Sequence, residues 1–249
     1  MDAFVPKVIV KRSHPSPTGA PKRVSVKSGA SQAAVGSGDL LHASVYNELR
    51  LRFITGRVTP ASTLSTRALA EELGVSQMPV REALGRLAAE GAVEIHSKRK
   101  IRVPPVTEER FSDLLRCRLL LEPEAAREAF PYIDSKCLKR LKETDKGMGV
   151  AMRNGDVQAY MQGNYDFHFL LYRAQPRRTL VRLIETLWLQ FGPYMRVVYG
   201  RFGTANLIDQ HQVAIACIER GDAPGFVRAI SMDIADGMGL VGQSGFEKK

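Results

Sequence analysis

The sequence predicts a mainly α-helical protein in two folded parts: three helices closed by a β-hairpin, then an antiparallel bundle of six helices. Three observations predict it. From residue 39 to about residue 241, apolar residues recur at helical spacing, with Gly, Pro or Asp/Asn punctuation between the periodic segments. Residues 92–103 break that pattern and alternate apolar with polar residues around a basic turn, as a half-buried strand pair does. The length of 249 residues, 44% hydrophobic and 25% charged, suits one or two domains with cores of useful size.

The first 38 residues stand apart. They are rich in Ser, Gly, Pro and Lys, with few large apolar residues after Val10. Such a stretch cannot bury enough surface to offset the entropy of ordering, so a disordered basic arm is expected. Folded sequence is expected from Asp39, an N-cap, with Leu41, Val45, Leu49 and Phe53 on one helix that Thr55-Gly56 ends. A second, short helix runs from about Thr66 to Leu73 and stops at Gly74, which suits a left-handed C-terminal position. The third starts at Ser76, holds Pro79 within its first turn where a missing N–H costs little, and reaches about Glu90 before Gly91.

Next come Ala92-Val93-Glu94-Ile95, a basic turn from His96 to Lys100, and Ile101-Arg102-Val103. Two strands around a loop make a hairpin and complete a unit over 39–103, with Pro104-Pro105 giving a semi-rigid linker at 104–106. Beyond it no strand signal occurs. Six helices are expected at about 107–130, 134–154, 156–174, 177–200, 204–220 and 222–241, forming a second unit over 107–241 before a tail at 242–249. No internal repeat is visible.

Composition narrows the class. Cys117, Cys137 and Cys217 are odd in number, widely spaced and beside Leu or Ile, a pattern of free thiols and not of a disulfide framework or zinc knuckle. No apolar run approaches the ~20 residues of a membrane span, and the N-terminus lacks a secretory core. A reducing, cytoplasmic setting without membrane contact is expected. The net charge of +10 is unevenly placed: residues 1–38 carry six Lys/Arg against one Asp, residues 39–105 ten against seven, and residues 106–249 twenty against eighteen. The basic excess at the N-terminal end favours a polyanionic partner there, since neutralised phosphates release counterions. A basic tail can also be merely solvated.

The stretch Leu69 to Leu84 is the most informative. Leu69 and Leu73 on one helix, and Val80, Leu84 and Leu87 on the next, form a shared core across the Gly74 turn. The opposite face of the second helix carries Gln77 and Arg81, with Arg86 further along. Amide and guanidinium groups near a helix N-terminus can reach base edges in the major groove. The order helix, helix, turn, helix, hairpin is that of a winged helix-turn-helix. Its wording resembles the GntR family of bacterial regulators, through Ile54-Thr55-Gly56, Leu69-Ala70, Gly74-Val75-Ser76, Pro79 to Leu84, Leu87 and Gly91. The resemblance implies that Arg67, Ser76, Gln77, Met78 and Arg81 face double-stranded operator DNA. A wing of His96, Lys98, Arg99 and Lys100 would touch the minor groove or backbone. Gln77 stands where many relatives have Arg, and Lys100 where they have a wing Gly, which suits a phosphate contact.

Downstream, the layout is similar to the FCD domain of the FadR branch, six helices suiting its VanR-like subgroup. The carrying residues are Arg118 to Glu122, in an Arg-x-x-Leu-Glu pattern, then Asn164 with Phe167-His168, His211, and Gly221-Asp222. Chemistry also singles them out: His168 and His211 are the only histidines of this unit, and Asn164 and His168 share a helix face. Family members of this type hold a divalent metal with Asp or Asn and three His inside the bundle. The resemblance therefore implies Zn²⁺, Mn²⁺ or Ni²⁺ on Asn164, His168, His211 and Asp233, with Asp233 at the third His position and open coordination for water or an effector carboxylate. The alternative is a buried cluster in which the histidines are only hydrogen-bonded. Arg118 has two readings as well: an ion-pair partner for Glu122 on its own helix, or the cation that receives an effector's carboxylate. Trp188 and Phe191 are expected in the core, and Tyr194 and Tyr199 either there or in a pocket.

The function these residues imply is sequence-specific DNA binding by a homodimer, a repressor, controlled by a small organic acid in the bundle. A sequence-neutral chromosome binder is the rival that the basic arm suggests, with salt-dependent binding its mark. An enzyme is not expected: the chain has no His-Glu-x-x-His helix, nucleophile elbow or phosphate-cradling Gly loop.

Overall fold

A computed structural model describes residues 37–97, 100–105, 107–201 and 209–243, leaving out the side chains of Ser37 and of residues 196–201 and 238–243. The expected arm, the wing residues Lys98 and Arg99, and the tail beyond residue 243 lie outside the described residues. The described chain forms one compact unit of nine α-helices and a three-stranded sheet.

Helix α1 (Ser37–Ile54) starts two residues before the expected cap, which puts Asp39 in the first turn, where its charge meets the positive end of the helix. It buries Val45, Tyr46, Leu49, Phe53 and Ile54 and is stopped by Gly56 at φ 67°. Helix α2 (Thr66–Leu73) is capped by Ser65, whose hydroxyl accepts from the Ala68 N–H at 3.2 Å, and ends at Gly74 with φ 65°. Helix α3 (Gln77–Ala89) follows one tight turn later and packs on α1 and α2 through Val80, Ala83, Leu84 and Leu87.

The expected hairpin is present, but it is the larger part of a three-stranded antiparallel sheet. Strands β2 (Glu94–Ser97) and β3 (Lys100–Arg102) pair with Ile95 opposite Ile101. Strand β1 (Thr63–Leu64) pairs on the other edge of β3, with Thr63 opposite Arg102. Two residues carry no periodicity of their own, and β1 becomes a strand only through its distant partner.

Six helices follow: α4 (Glu108–Ala129), α5 (Ser135–Arg153), α6 (Val157–Tyr172), α7 (Arg178–Arg201), α8 (Gln210–Glu219) and α9 (Ala223–Gln243). Side chains of Thr107, Asp134, Asp156 and Asp209 cap the helices that follow them, each accepting at least one of the N–H groups left open at a helix start. Residues 202–208, in the stretch expected to open α8, lie outside the described residues. Helix α4 packs on α6, α7 and α9, which buries Arg118 and Glu122 on its inner face while Leu119 and Leu120 face outward.

Helix α7 also packs on α1, joining the winged helix to the bundle. A Cβ added at Gly192 of α7 would lie 1.9 Å from the Phe53 carbonyl oxygen, so the two helices meet backbone to backbone. Beside this contact the Gln190 amide donates to the Glu90 carbonyl at 3.0 Å, at the C-terminal cap of α3. Arg110 donates to the Gly91 carbonyl at 2.8 Å and to Gln190 Oε1 at 3.1 Å. Arg50 of α1 and Glu185 of α7 stand 3.2 Å apart.

Candidate DNA-reading surface and buried histidine site

At the start of α3, Ser76, Gln77, Met78 and Arg81 are all exposed, while Pro79 and Val80 between them are buried. The alternation follows from the helical period: the face carrying Val80, Leu84 and Leu87 is the core, and what remains looks outward. Ser76 is the N-cap residue but makes no side-chain capping bond. Among the described residues Arg81 makes a long 3.4 Å contact to Gln77, and Met78 is 71% exposed. Arg67 on α2 is exposed and paired with Glu71 at 2.8 Å. Arg86 lies over the Tyr46 ring of α1, 3.6 Å from its centroid, so it braces α3 against α1. On the wing, His96 and Lys100 are exposed, with His96 3.1 Å from Glu94. The expected DNA-facing residues are thus exposed as far as they are described, with Lys98 and Arg99 outside the described residues.

Inside the bundle, three helices bring their polar groups together. His168 on α6, His211 on α8 and Asp233 on α9 converge: His168 Nε2 is 3.0 Å from Asp233 Oδ2 and 3.4 Å from His211 Nε2, which is 3.5 Å from Asp233 Oδ1. Both histidines are buried and the rings are edge to face. Asn164, one turn before His168, is buried as well, but its carboxamide joins none of these contacts.

Behind His168 runs a chain of hydrogen bonds that the sequence does not announce. His168 Nδ1 meets the Tyr172 hydroxyl at 3.0 Å, and Tyr172 donates to Glu122 Oε2 at 2.8 Å. Glu122 is fully buried and also accepts from the Trp188 indole at 3.0 Å and from Arg118 Nε at 2.5 Å. Arg118 is therefore paired with Glu122, one of its two expected readings, and is 4% exposed with its guanidinium 4.6 Å from the Trp188 ring centre. Trp188 and Phe191 are core residues, as is Tyr194, whose hydroxyl is 3.5 Å from the Pro105 carbonyl; the Tyr199 side chain lies outside the described residues. The signal for Tyr172 was its spacing, since Asn164, His168 and Tyr172 fall four residues apart on one helix face.

The electrostatics leave an ionised carboxylate and a neutral imidazole at the convergence point. Burial alone would raise the Asp233 carboxyl, but His211, His168 and Arg118 together hold it well below the usual carboxylate range. Burial and His168 push the His211 imidazole down against Asp233, so its neutral form, the form that ligates, is favoured. Burial, together with Glu122, pushes the Tyr172 phenol well up, so it keeps its proton. Two imidazole nitrogens and a carboxylate, all within 4.8 Å of one another, are an N/O donor set for a divalent transition metal. Ligands placed tetrahedrally around one zinc ion stand roughly 3.3 Å apart, close to the spacings here. The residues present fit such an ion.

Elsewhere Cys117 and Cys137 are half-buried free thiols and Cys217 a buried one. No described helix is long and apolar enough to cross a membrane.

Known proteins resemble this chain in both halves. Residues 41–103 match the family described as bacterial regulatory proteins, gntR family, and residues 113–236 match the FCD domain. The HTH-type transcriptional regulator McbR of Escherichia coli is 29% identical over 197 residues, covering 76% of this chain and 89% of its own. The gluconate operon transcriptional repressor of Bacillus subtilis is 24% identical over 201 residues, covering 76% and 80%. Among solved structures, that of E. coli McbR/YncC superposes with a TM-score of 0.77 at 27% identity, covering 82% of this chain and 97% of its own.

Proposed function

From the premise that this chain belongs to the GntR family, a DNA-binding transcription regulator whose winged helix is followed by an FCD domain, we propose that it acts as a cytoplasmic homodimeric repressor relieved by a small organic acid. The observation that carries the effector half is the convergence of His168, His211 and Asp233 inside the bundle. Those three residues would hold a divalent ion, Zn²⁺, Mn²⁺ or Ni²⁺, with Asn164 as a further neighbour. When bound, the ion supplies Lewis-acid affinity for a carboxylate at its open positions.

The chain's own residues do the rest. Asp233 would offset part of the ion's charge, and Arg118 stays paired with Glu122 behind the site. The Trp188 ring, whose centre is 5.2 Å from that of His168, closes the site on the side of α7. Little more than one turn of the same helix carries Trp188 at the site and Gln190 and Gly192 against the winged helix, so a shift of α7 on effector binding reaches α3 directly. In a two-fold dimer that shift changes the spacing of two recognition helices on a palindromic operator. On the DNA side, Gln77 and Arg81 read bases, with Arg67, Ser76, Met78 and the basic wing His96 to Lys100 beside them.

The test is an operator footprint on the chain's own upstream DNA, repeated with a panel of mono- and dicarboxylic and sugar acids in zinc-containing buffer. A protected palindrome released by one class of acid is expected. Protection no stronger than on random DNA would return the chain to a sequence-neutral binder, and an operator complex indifferent to every acid and to metal would remove the effector reading.

A further inference from the structure

The His168 ring has two nitrogens, and only one can be the metal ligand; what decides which is not among the ligands. The Glu122 carboxylate can only accept hydrogen bonds, and it takes them from Arg118, Tyr172 and Trp188. The single proton of the Tyr172 hydroxyl is thereby committed to Glu122, at 2.8 Å. Towards His168 Nδ1, 3.0 Å away, the phenol oxygen can then only accept. A proton on His168 Nδ1 satisfies that contact, and a neutral ring so protonated presents a bare Nε2 towards Asp233 and His211 Nε2.

We infer that Glu122 and Tyr172 are positioning residues for the metal site: acting through one hydrogen bond each, they hold the His168 proton on Nδ1 and turn Nε2 into the ligand atom. The inference rests on the metal reading above and says what makes this pocket a metal pocket. Its logic is a matter of counting protons. A bare Nε2, a second imidazole nitrogen and a carboxylate oxygen within 3.0–3.5 Å are electron-rich atoms facing one another. A proton can bridge only one of those contacts, whereas a divalent ion satisfies all three. Burial makes the arrangement strict, because Glu122 and Tyr172 have no water to turn to. Arg118 balances the Glu122 charge, so the relay is neutral overall and can be enclosed by α4, α6 and α7. Arg118 is thus the counter-ion of the relay, which explains why it is buried against Trp188 and Phe191.

The variant that isolates the relay is Tyr172→Phe, which removes the acceptor and keeps the ring beside Phe169. Tyr165→Phe is the control, since it removes a phenol oxygen of the same helix that accepts from Arg173 and leaves Tyr172 and Glu122 in place. Full-length protein labelled with ¹⁵N in histidine is measured by long-range ¹H–¹⁵N NMR with and without Zn²⁺, and zinc affinity is measured by competition with a chelator. Nδ1 of His168 is expected to be protonated in the wild type and in Tyr165→Phe, with the same zinc affinity in both. In zinc-free Tyr172→Phe the proton is expected to move to Nε2, with zinc bound 10–100-fold more weakly, the usual cost of losing a partner behind a ligand. An unprotonated Nδ1 in the wild type, or zinc affinity in Tyr172→Phe equal to that of the wild type, would overturn the inference. No zinc, manganese or nickel binding by a wild type that still shows the Nδ1 proton would instead defeat the metal reading and leave the tautomer assignment standing.

Discussion

Replacing Gly192 by Ala tests the joint between the winged helix and the bundle at its tightest point. The new methyl carbon would sit 1.9 Å from the Phe53 carbonyl oxygen, 2.7 Å from its carbon and 2.8 Å from the Ile54 Cα. All three are backbone atoms, so no rotamer change relieves the overlap. Restoring ordinary contact needs α1 and α7 to part by about 1.5 Å. Overpacking of that kind costs about 3 kcal/mol, and the parting weakens the Gln190–Glu90 and Arg110–Gly91 bonds for about 1 kcal/mol more. Against this, alanine is favoured over glycine in a helix interior by about 1 kcal/mol. A net loss of about 3 kcal/mol lowers the melting temperature by roughly 6–12 °C in a chain of this size. Gly147 in α5 is the control, because a Cβ there meets nothing within 4 Å and Gly147→Ala should raise the melting temperature by roughly 2–4 °C. Melting followed by circular dichroism, with operator affinity measured in parallel, checks both. A Gly192→Ala protein that melts with the wild type and keeps its operator affinity would refute the claim that this backbone contact joins the two parts.

Arg81→Ala should cost about 1–3 kcal/mol of operator binding and much less on random DNA, as for any lost base contact; equal losses on both in a mobility-shift titration would make Arg81 a phosphate contact. Deleting residues 1–36, which carry the six Lys/Arg ahead of α1, should leave the fold and operator preference intact and flatten the salt dependence of DNA binding. An unchanged slope of affinity against salt would show that the basic stretch does not touch DNA. Burial, with Asp209 beside it, raises the Asp145 carboxyl to about 6, so the stability tied to its neutral form is present below pH 4 and lost as pH rises through about 6. Asp145→Asn should therefore stabilise the protein by about 1 kcal/mol at pH 8, a value reduced for solvent screening, and by little at pH 4.5. Urea midpoints shifted alike at both pH values would contradict it.

The helices were legible from an apolar stripe at the helical period and from punctuation, with glycine at positive φ at 56, 74 and 91, whereas of the two helix starts read from sequence Asp39 falls inside α1 and Ser76 makes no side-chain capping bond. His168, His211 and Asp233 could be singled out because two histidines on apolar helices and one carboxylate at a family position are rare, and the structure brings them together. What escaped depends on partners far along the chain. Strand β1 exists through Ile101 and Arg102, Gln190 has its role through a carbonyl 100 residues away, and a tyrosine on an apolar helix reads as core until Glu122 is seen behind it. Local pattern reports what a residue is, but a hydrogen bond across the fold reports what it does.

The joint at α7 bears on how such regulators can be rebuilt. If the winged helix were a detachable reading head, it could be grafted onto any bundle of the same family and would answer to the new bundle's ligand. Here the reading head is seated on a glycine that leaves no room for a side chain, its recognition helix ends on a glutamine from the other half, and an arginine from α4 grips the turn beyond it. A chimera that lacks Gly192, Gln190 or Arg110 would lose the contacts that seat one half on the other, and with them stability and operator affinity. For this chain the unit of inheritance is the winged helix together with the two helices that hold it.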